Sequence, residues 1–331
     1  MAESFAVFDA PNAVATLATG INNGGEVAGN VTDASQTTRG FLRHRDGNMI
    51  VFDTPNASST ANFFSAVKIN DAGDVTGDFA DMGNTHCFVR YSNGNFTAFD
   101  VPNGPSQYVQ GINDGGEIVG YFQDASQGGK TRGFLRDRAG NIVVFDAPNA
   151  TFTTATNINN HGDIVGQFAE SSQVANVRGF VRHHNGNLTA FDVPNALNLF
   201  VTSINDRGDV VGGFQDTSQS GKTRGFLRDR AGNIIIFDAP NASAAAGGGT
   251  QVTSINNCGE IAGYLQDASQ GNKGRGFVRD RNGTVTVFDA PNASTTVGQG
   301  TWTTGIRDDG EIVGSFQDAS QGKTRGFVRS H

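Results

Sequence analysis

Three things are scarce in this 331-residue chain: cysteine, tryptophan and positive charge. Two Cys and one Trp occur, and 24 Lys and Arg stand against 32 Asp and Glu, a formal net charge of −8. Cys87 begins a strand and Cys258 sits in a turn of a non-adjacent repeat, so no disulfide framework is expected. With the cations spread evenly along an acidic chain, nothing attracts it to a phosphate backbone, and nucleic acid is excluded as a partner. No stretch reaches the roughly 18 apolar residues that span a bilayer, so no membrane insertion is expected. The N-terminus, Met1 to Phe5, lacks the basic and apolar regions of a signal peptide. Leu-, Lys- and Glu-rich helical segments are missing, which predicts almost no helix. There is no Gly-x-Ser-x-Gly elbow, no P-loop and no Asp-x-Asp-x-Asp-Gly calcium loop. The six His do not converge as zinc ligands must, so no metal site is assigned.

Glycine (45) and phenylalanine (25) are abundant. The phrase Arg-Gly-Phe-Leu/Val-Arg recurs with its Phe at 41, 88, 134, 180, 226, 277 and 327, the second copy reading His86-Cys87-Phe88. Each copy but the last is followed by a Gly-containing turn, an apolar run and Phe-Asp-x-Pro-Asn. The last stops at His331, while the chain opens on Phe5-Ala-Val-Phe-Asp9 with nothing before it. The expectation is an all-β chain: a single seven-bladed β-propeller over 1–331 with four-stranded antiparallel blades. Strand 5–9 would complete the blade formed by 301–331 and close the ring, removing the exposed edges of an open array.

Residues 106–148 show one unit, with strands predicted at Tyr108–Asn113, Glu117–Phe122, Arg132–Asp137 and Asn141–Asp146. Asp114-Gly-Gly116 and Arg138-Ala-Gly140 are three-residue loops ending in Gly, the pattern of a type I turn closed by a bulge. This turn places Phe134 opposite Val144 and Arg132 opposite Asp146. The same separation pairs Arg39 with Asp53, Arg178 with Asp192, Arg224 with Asp238 and Arg275 with Asp289, and His86 with Asp100 as the variant. Arg325 would meet Asp9 across the closure. These pairs are read as structural rather than catalytic.

Both tight turns lie on one face of the ring, so the long connections share the other. There the sequence repeats Gln-Asp-Ala/Thr-Ser-Gln, and Gln123, Asp124, Gln266, Asp267, Gln317 and Asp318 are candidate ligand-binding residues. Such amide–carboxylate loops suit sugar hydroxyls or an oxygen-liganded cation such as calcium; Asx and Ser turns with their own backbone are the structural alternative. Departures from the repeat cluster in blades 6, 7, 1 and 2. That sector carries Trp302, His86, Tyr264, Phe63 and Phe64, a second set of candidates, beside Met82 and Cys87. Drift in unselected loops would look the same. Cys87 beside His86 is not a dyad, because adjacent strand residues point to opposite faces. No catalytic residue is assigned.

The unit Gly111-Ile-Asn-Asp-Gly-Gly-Glu-Ile-Val-Gly120, followed by Gly-Phe-Leu-Arg and Phe-Asp-Ala-Pro, resembles the HAF-type repeats of bacterial, often extracellular proteins. The resemblance covers essentially the whole chain and implies an exported, propeller-like protein, extracellular or periplasmic; a cytoplasmic protein is the alternative, since the chain shows no signal peptide. It brings no agreed activity. The leading expectation is a monomeric, non-enzymatic binding module without a cofactor, carrying a glycan or protein ligand on the long-loop face, where near-equal repeats would act multivalently. A protein-interaction scaffold, and a lyase or hydrolase using the irregular sector, are the alternatives.

Overall fold

The computed structural model describes residues 3–53, 64–81, 83–170 and 177–330. Among them are 28 strands, and the only helical turns are three short 3-10 segments. Repeat 3 shows the unit: β10 (Ser106–Ile112), β11 (Ile118–Asp124), β12 (Lys130–Arg136) and β13 (Ile142–Phe145) form an antiparallel four-stranded sheet. Phe134 faces Val144, as the turn arithmetic requires. Gly116 and Gly140 both take positive φ (78° and 95°), and Gly116 donates its amide to the Asn113 carbonyl at 3.0 Å to close the first turn.

Gly120 explains why one strand position in every repeat is glycine. A Cβ there would stand 2.0 Å from the Tyr108 carbonyl oxygen and 2.9 Å from the Phe134 ring. The ring that needs the space therefore comes from the neighbouring strand of the same sheet.

The two ends of the chain meet. β1 (Ser4–Phe8) runs antiparallel to β28 (Lys323–Ser330), with Ser4 opposite Ser330 and Phe8 opposite Gly326. Arg325 Nη2 lies 2.9 Å from Asp9. Strand-to-strand pairing between the set made by Thr301–Ile306, Ile312–Asp318, β28 and β1 and the first repeat is one parallel bridge, Ala15 to Thr324.

Sheets are joined by a contact that recurs at every junction. The third-strand arginine lies over the outer-strand Phe of the preceding repeat: Arg43 on Phe8, Arg90 on Phe52, Arg136 on Phe99, Arg182 on Phe145, Arg228 on Phe191, Arg279 on Phe237 and Arg329 on Phe288, with guanidinium carbons 4.4–5.1 Å from ring centres. Each such cation–π contact contributes about 1 kcal/mol. The first strands of successive repeats also touch in sequence, and the last touches the first.

The paired Arg and Asp form larger networks than the spacing suggested. Arg132 bridges Asp146 and Asp124, both at 3.0 Å. Arg224, Arg275 and Arg325 likewise join the crossover carboxylates Asp238, Asp289 and Asp9 to the loop carboxylates Asp216, Asp267 and Asp318. Arg178 bonds Asp192 and Glu170. In repeat 1 the balance shifts, with Arg39 2.8 Å from Asp33 and only 3.9 Å from Asp53.

Candidate functional site

The loop candidates turn out to be internally engaged. Asp124 is 3% exposed; it accepts the Ser126 amide at 3.0 Å and pairs with Arg132. The hydrogen bonds from Ser126, then the Arg132 pairing, hold its carboxyl below the usual range. Asp267 and Asp318 repeat the arrangement with Ser269 and Ser320. Of the amides, Gln123 is exposed while Gln266 and Gln317 are half-buried, and Gln317 accepts the Thr324 hydroxyl.

The irregular-sector candidates among the described residues lie on strands of repeats 2, 6 and 7. His86 Nδ1 lies 2.7 Å from Asp100, as the variant pair predicted, and its ring lies against Phe79. Cys87 is buried and 3.8 Å from Asp78 on the adjoining strand. Both cysteines are free. The Trp302 indole nitrogen stands 3.3 Å from where a Cβ on Gly274 would sit. Tyr264 is half-buried, and burial raises its phenol. Phe64 lies in β6 (Phe64–Ile69); Phe63 and Met82 lie outside the described residues. The longer crossovers of repeats 6 and 7 have a pairing role, forming parallel bridges from Gly249 to Thr223 and from Gly300 to Gly274 in the preceding repeat. A cavity of about 380 Å³ does lie in this sector, in repeat 1, between Pro11, Asp33, Arg39 and Met49. None of the candidates among the described residues lines it.

The axis carries features that the sequence reading did not single out. Every first strand ends in Ile-Asn-Asn or Ile-Asn-Asp, or in Ile306-Arg-Asp308. The first Asn of this triplet closes its own turn: Asn113 Oδ1 accepts the Glu117 amide at 2.9 Å, and its Nδ2 donates to the Asn159 carbonyl of the next repeat at 3.1 Å. Such links run from Asn22 through Asn70, Asn113, Asn159, Asn205 and Asn256 to Arg307, whose guanidinium returns to the Asn23 carbonyl. A second circuit runs outside it, with the amide of each next residue donating to the side chain of its counterpart: Asn23, Asp71, Asp114, Asn160, Asp206, Asn257, Asp308 and back to Asn23, at 2.7–3.0 Å. Together they line a polar recess of about 160 Å³ on the tight-turn side. Burial, opposed by the Asp71 amide and reinforced by the Asp71 charge, raises the Asp114 carboxyl. Among the described residues no cluster of His, Cys, Asp or Glu is placed to hold a metal ion. The recurring Ile-Asn-Asn/Asp triplet was the signal for this ring.

Further from the tight turns the axis widens. Each first strand shifts register by one residue near its end, for example between Val109 and Gly111, and such a bulge re-aims the extra side chain. The re-aimed residues Thr19, Gln110, Thr156, Thr202, Thr253 and Thr304, with Ser65, Lys68, Val201 and Val252, line a cavity of about 400 Å³. Every repeat contributes to it, so it is axial. Five repeats place the same threonine in its wall, and repeats 2 and 3 depart with Lys68 and Gln110.

No protein-family model matches the chain, and no curated protein matches it. Solved structures do. The chain is similar to an inactive His-to-Ala variant of virginiamycin B lyase from Staphylococcus aureus with quinupristin (TM-score 0.63, 15% identity, 100% of each chain). It is also similar to the β-propeller domain of the Trilobed protease from Pyrococcus furiosus, which has an open velcro topology (TM-score 0.62, 12% identity, 95% of each chain). A third match is the acylaminoacyl peptidase of Pyrococcus horikoshii (TM-score 0.59, 13% identity), over 91% of this chain and 49% of that one. At these identities the likeness is one of fold: the chain is propeller-like, and no helix among its described residues is long and apolar enough to cross a membrane.

Proposed function

We propose that the chain is a closed seven-bladed ring of HAF-type repeats that works as a non-enzymatic binding module, with its ligand seated at the axis on the side of the long connections. The closure is supported by the two hydrogen-bond circuits and the arginine–phenylalanine contacts, which return from the last repeat to the first. The binding reading rests on the axial cavity. At about 400 Å³ it has the size of a small-molecule site. Its wall combines Gln110, Lys68, threonines and valines, so it would hold one ligand in one orientation. The repeated loop carboxylates, by contrast, are occupied by Ser and Arg of their own repeat. The repeat resemblance supports an exported location.

The test compares ligand binding by the native chain and by Thr202→Trp, which fills the axial cavity without touching the loops. A screen of small molecules and glycans should yield ligands lost in the filled variant. Glycans that bind both forms equally would instead favour a lectin-like, multivalent loop face and overturn the axial reading.

A further inference from the structure

Of the five lysines, four have the same task. Lys130, Lys222, Lys273 and Lys323 pair with the crossover carboxylates Asp146, Asp238, Asp289 and Asp9 at 3.2–3.4 Å. Lys68 is the exception. It lies on β6 where the other first strands carry Gly20, Gly111, Asn157, Ser203, Ser254 and Gly305, and it lines the axial cavity. Among the described residues it has no ion-pair partner. Burial holds its pKa below the usual lysine value.

The rest of the wall offers little to a charge. Thr19, Thr156, Thr202, Thr253 and Thr304 donate their hydroxyls to the carbonyls of Ala28, Val165, Val211, Ala262 and Val313 at 3.1–3.3 Å. What they show a guest is lone pairs and methyl groups, beside the side chains of Val201 and Val252. Ser65 and Gln110 complete the polar wall, and among the described residues no carboxylate lines the cavity.

From this arrangement we infer that Lys68 anchors a small monoanion with an apolar body, its carboxylate or sulfonate head on the ammonium and its body against Val201, Val252 and the threonine methyls. The inference rests on the axial-binding reading. A half-buried ammonium without a carboxylate partner keeps only part of its hydration, so an incoming anion offsets what a neutral guest does not. A cationic guest would be repelled.

Two fluorescent probes separate the head from the body: 8-anilinonaphthalene-1-sulfonate, and N-phenyl-1-naphthylamine, the same skeleton without the sulfonate. The native chain should bind the sulfonate once. Lys68→Met should weaken it about tenfold or more, the range for a charge-assisted hydrogen bond, while leaving the neutral probe unchanged, and Lys68→Arg should retain it. Thr202→Trp should weaken both. Benzoate should displace the sulfonate from the native chain and benzamide should not, a comparison that needs no variant to fold. If Lys68→Met binds the sulfonate as tightly as native, or benzamide competes as well as benzoate, while Thr202→Trp still blocks binding, the anion anchor is overturned and the axial site stands. If the sulfonate binds Thr202→Trp unchanged, or neither probe binds the native chain, both fall.

Discussion

Asp78 follows the tight glycine of repeat 2, and its Oδ1 accepts the Val109 amide of the next repeat at 2.6 Å. The same bond is made elsewhere by uncharged groups: Gln167 accepts from Val201 and Ser315 from Ala18, both at 2.9 Å. The position asks for an acceptor and has no use for a charge. Burial raises the Asp78 carboxyl to about 7 from 3.8, against the lowering effect of the Val109 and Cys87 hydrogen bonds. Between these values the folded chain keeps a proton that the unfolded chain has released, so stability falls as pH rises from about 4 to about 7. A shift of about three units corresponds to about 4 kcal/mol lost by pH 8. Asp78→Asn keeps the acceptor and removes the charge. It should match the native chain below about pH 4 and exceed it by about 3–4 kcal/mol at pH 8.5, measured by urea unfolding at a series of pH values. Parallel stability curves for the two proteins across that range would refute the reasoning.

Arg325→Ala leaves Asp9 and the fully buried Asp318 without their guanidinium and should cost about 3 kcal/mol in chemical denaturation; an unchanged midpoint would count against the closure. Gly120→Ala forces a Cβ to 2.0 Å from the Tyr108 carbonyl and should lower stability by more than about 4 kcal/mol, which a normal melting curve would contradict. Burial and the Asp78 charge push the Cys87 thiol well up, while Cys258 is exposed. A thiol reagent should therefore label one cysteine in the native chain and two after denaturation; two fast-reacting thiols would refute this.

The unit and the pairing of the chain's first strand with its last were legible because turn chemistry counts residues. A three-residue loop ending in Gly140 fixes Phe134 against Val144, and the stranded Phe5–Asp9 fits only β28. Contacts between repeats were not legible in this way. The Asn113 side chain reaches the Asn159 carbonyl, and Arg136 lies over Phe99; no spacing within one repeat encodes either. The Ile-Asn-Asp triplet looked like a turn because it is one, and its second role shows only once the turns stand around an axis. Asp124 carried a similar ambiguity. An Asx cap and a ligand-seeking carboxylate have the same sequence, and burial distinguishes them. Lys68 departs from the small residues at its position in the other repeats, a signal that the sequence reading did not use, and its isolation depends on where the four other lysines find their partners.

The pairing of Ser4–Phe8 with Lys323–Ser330 also orders events in time. Ser4–Phe8 are made before the strand they pair with and can take their place only after Lys323–Ser330 has been made. Until then β1 has no partner strand, and the edge it will occupy does not exist. The middle repeats can stack as they emerge, but Phe5 and Phe8 stay uncovered until Lys323–Ser330 has followed them.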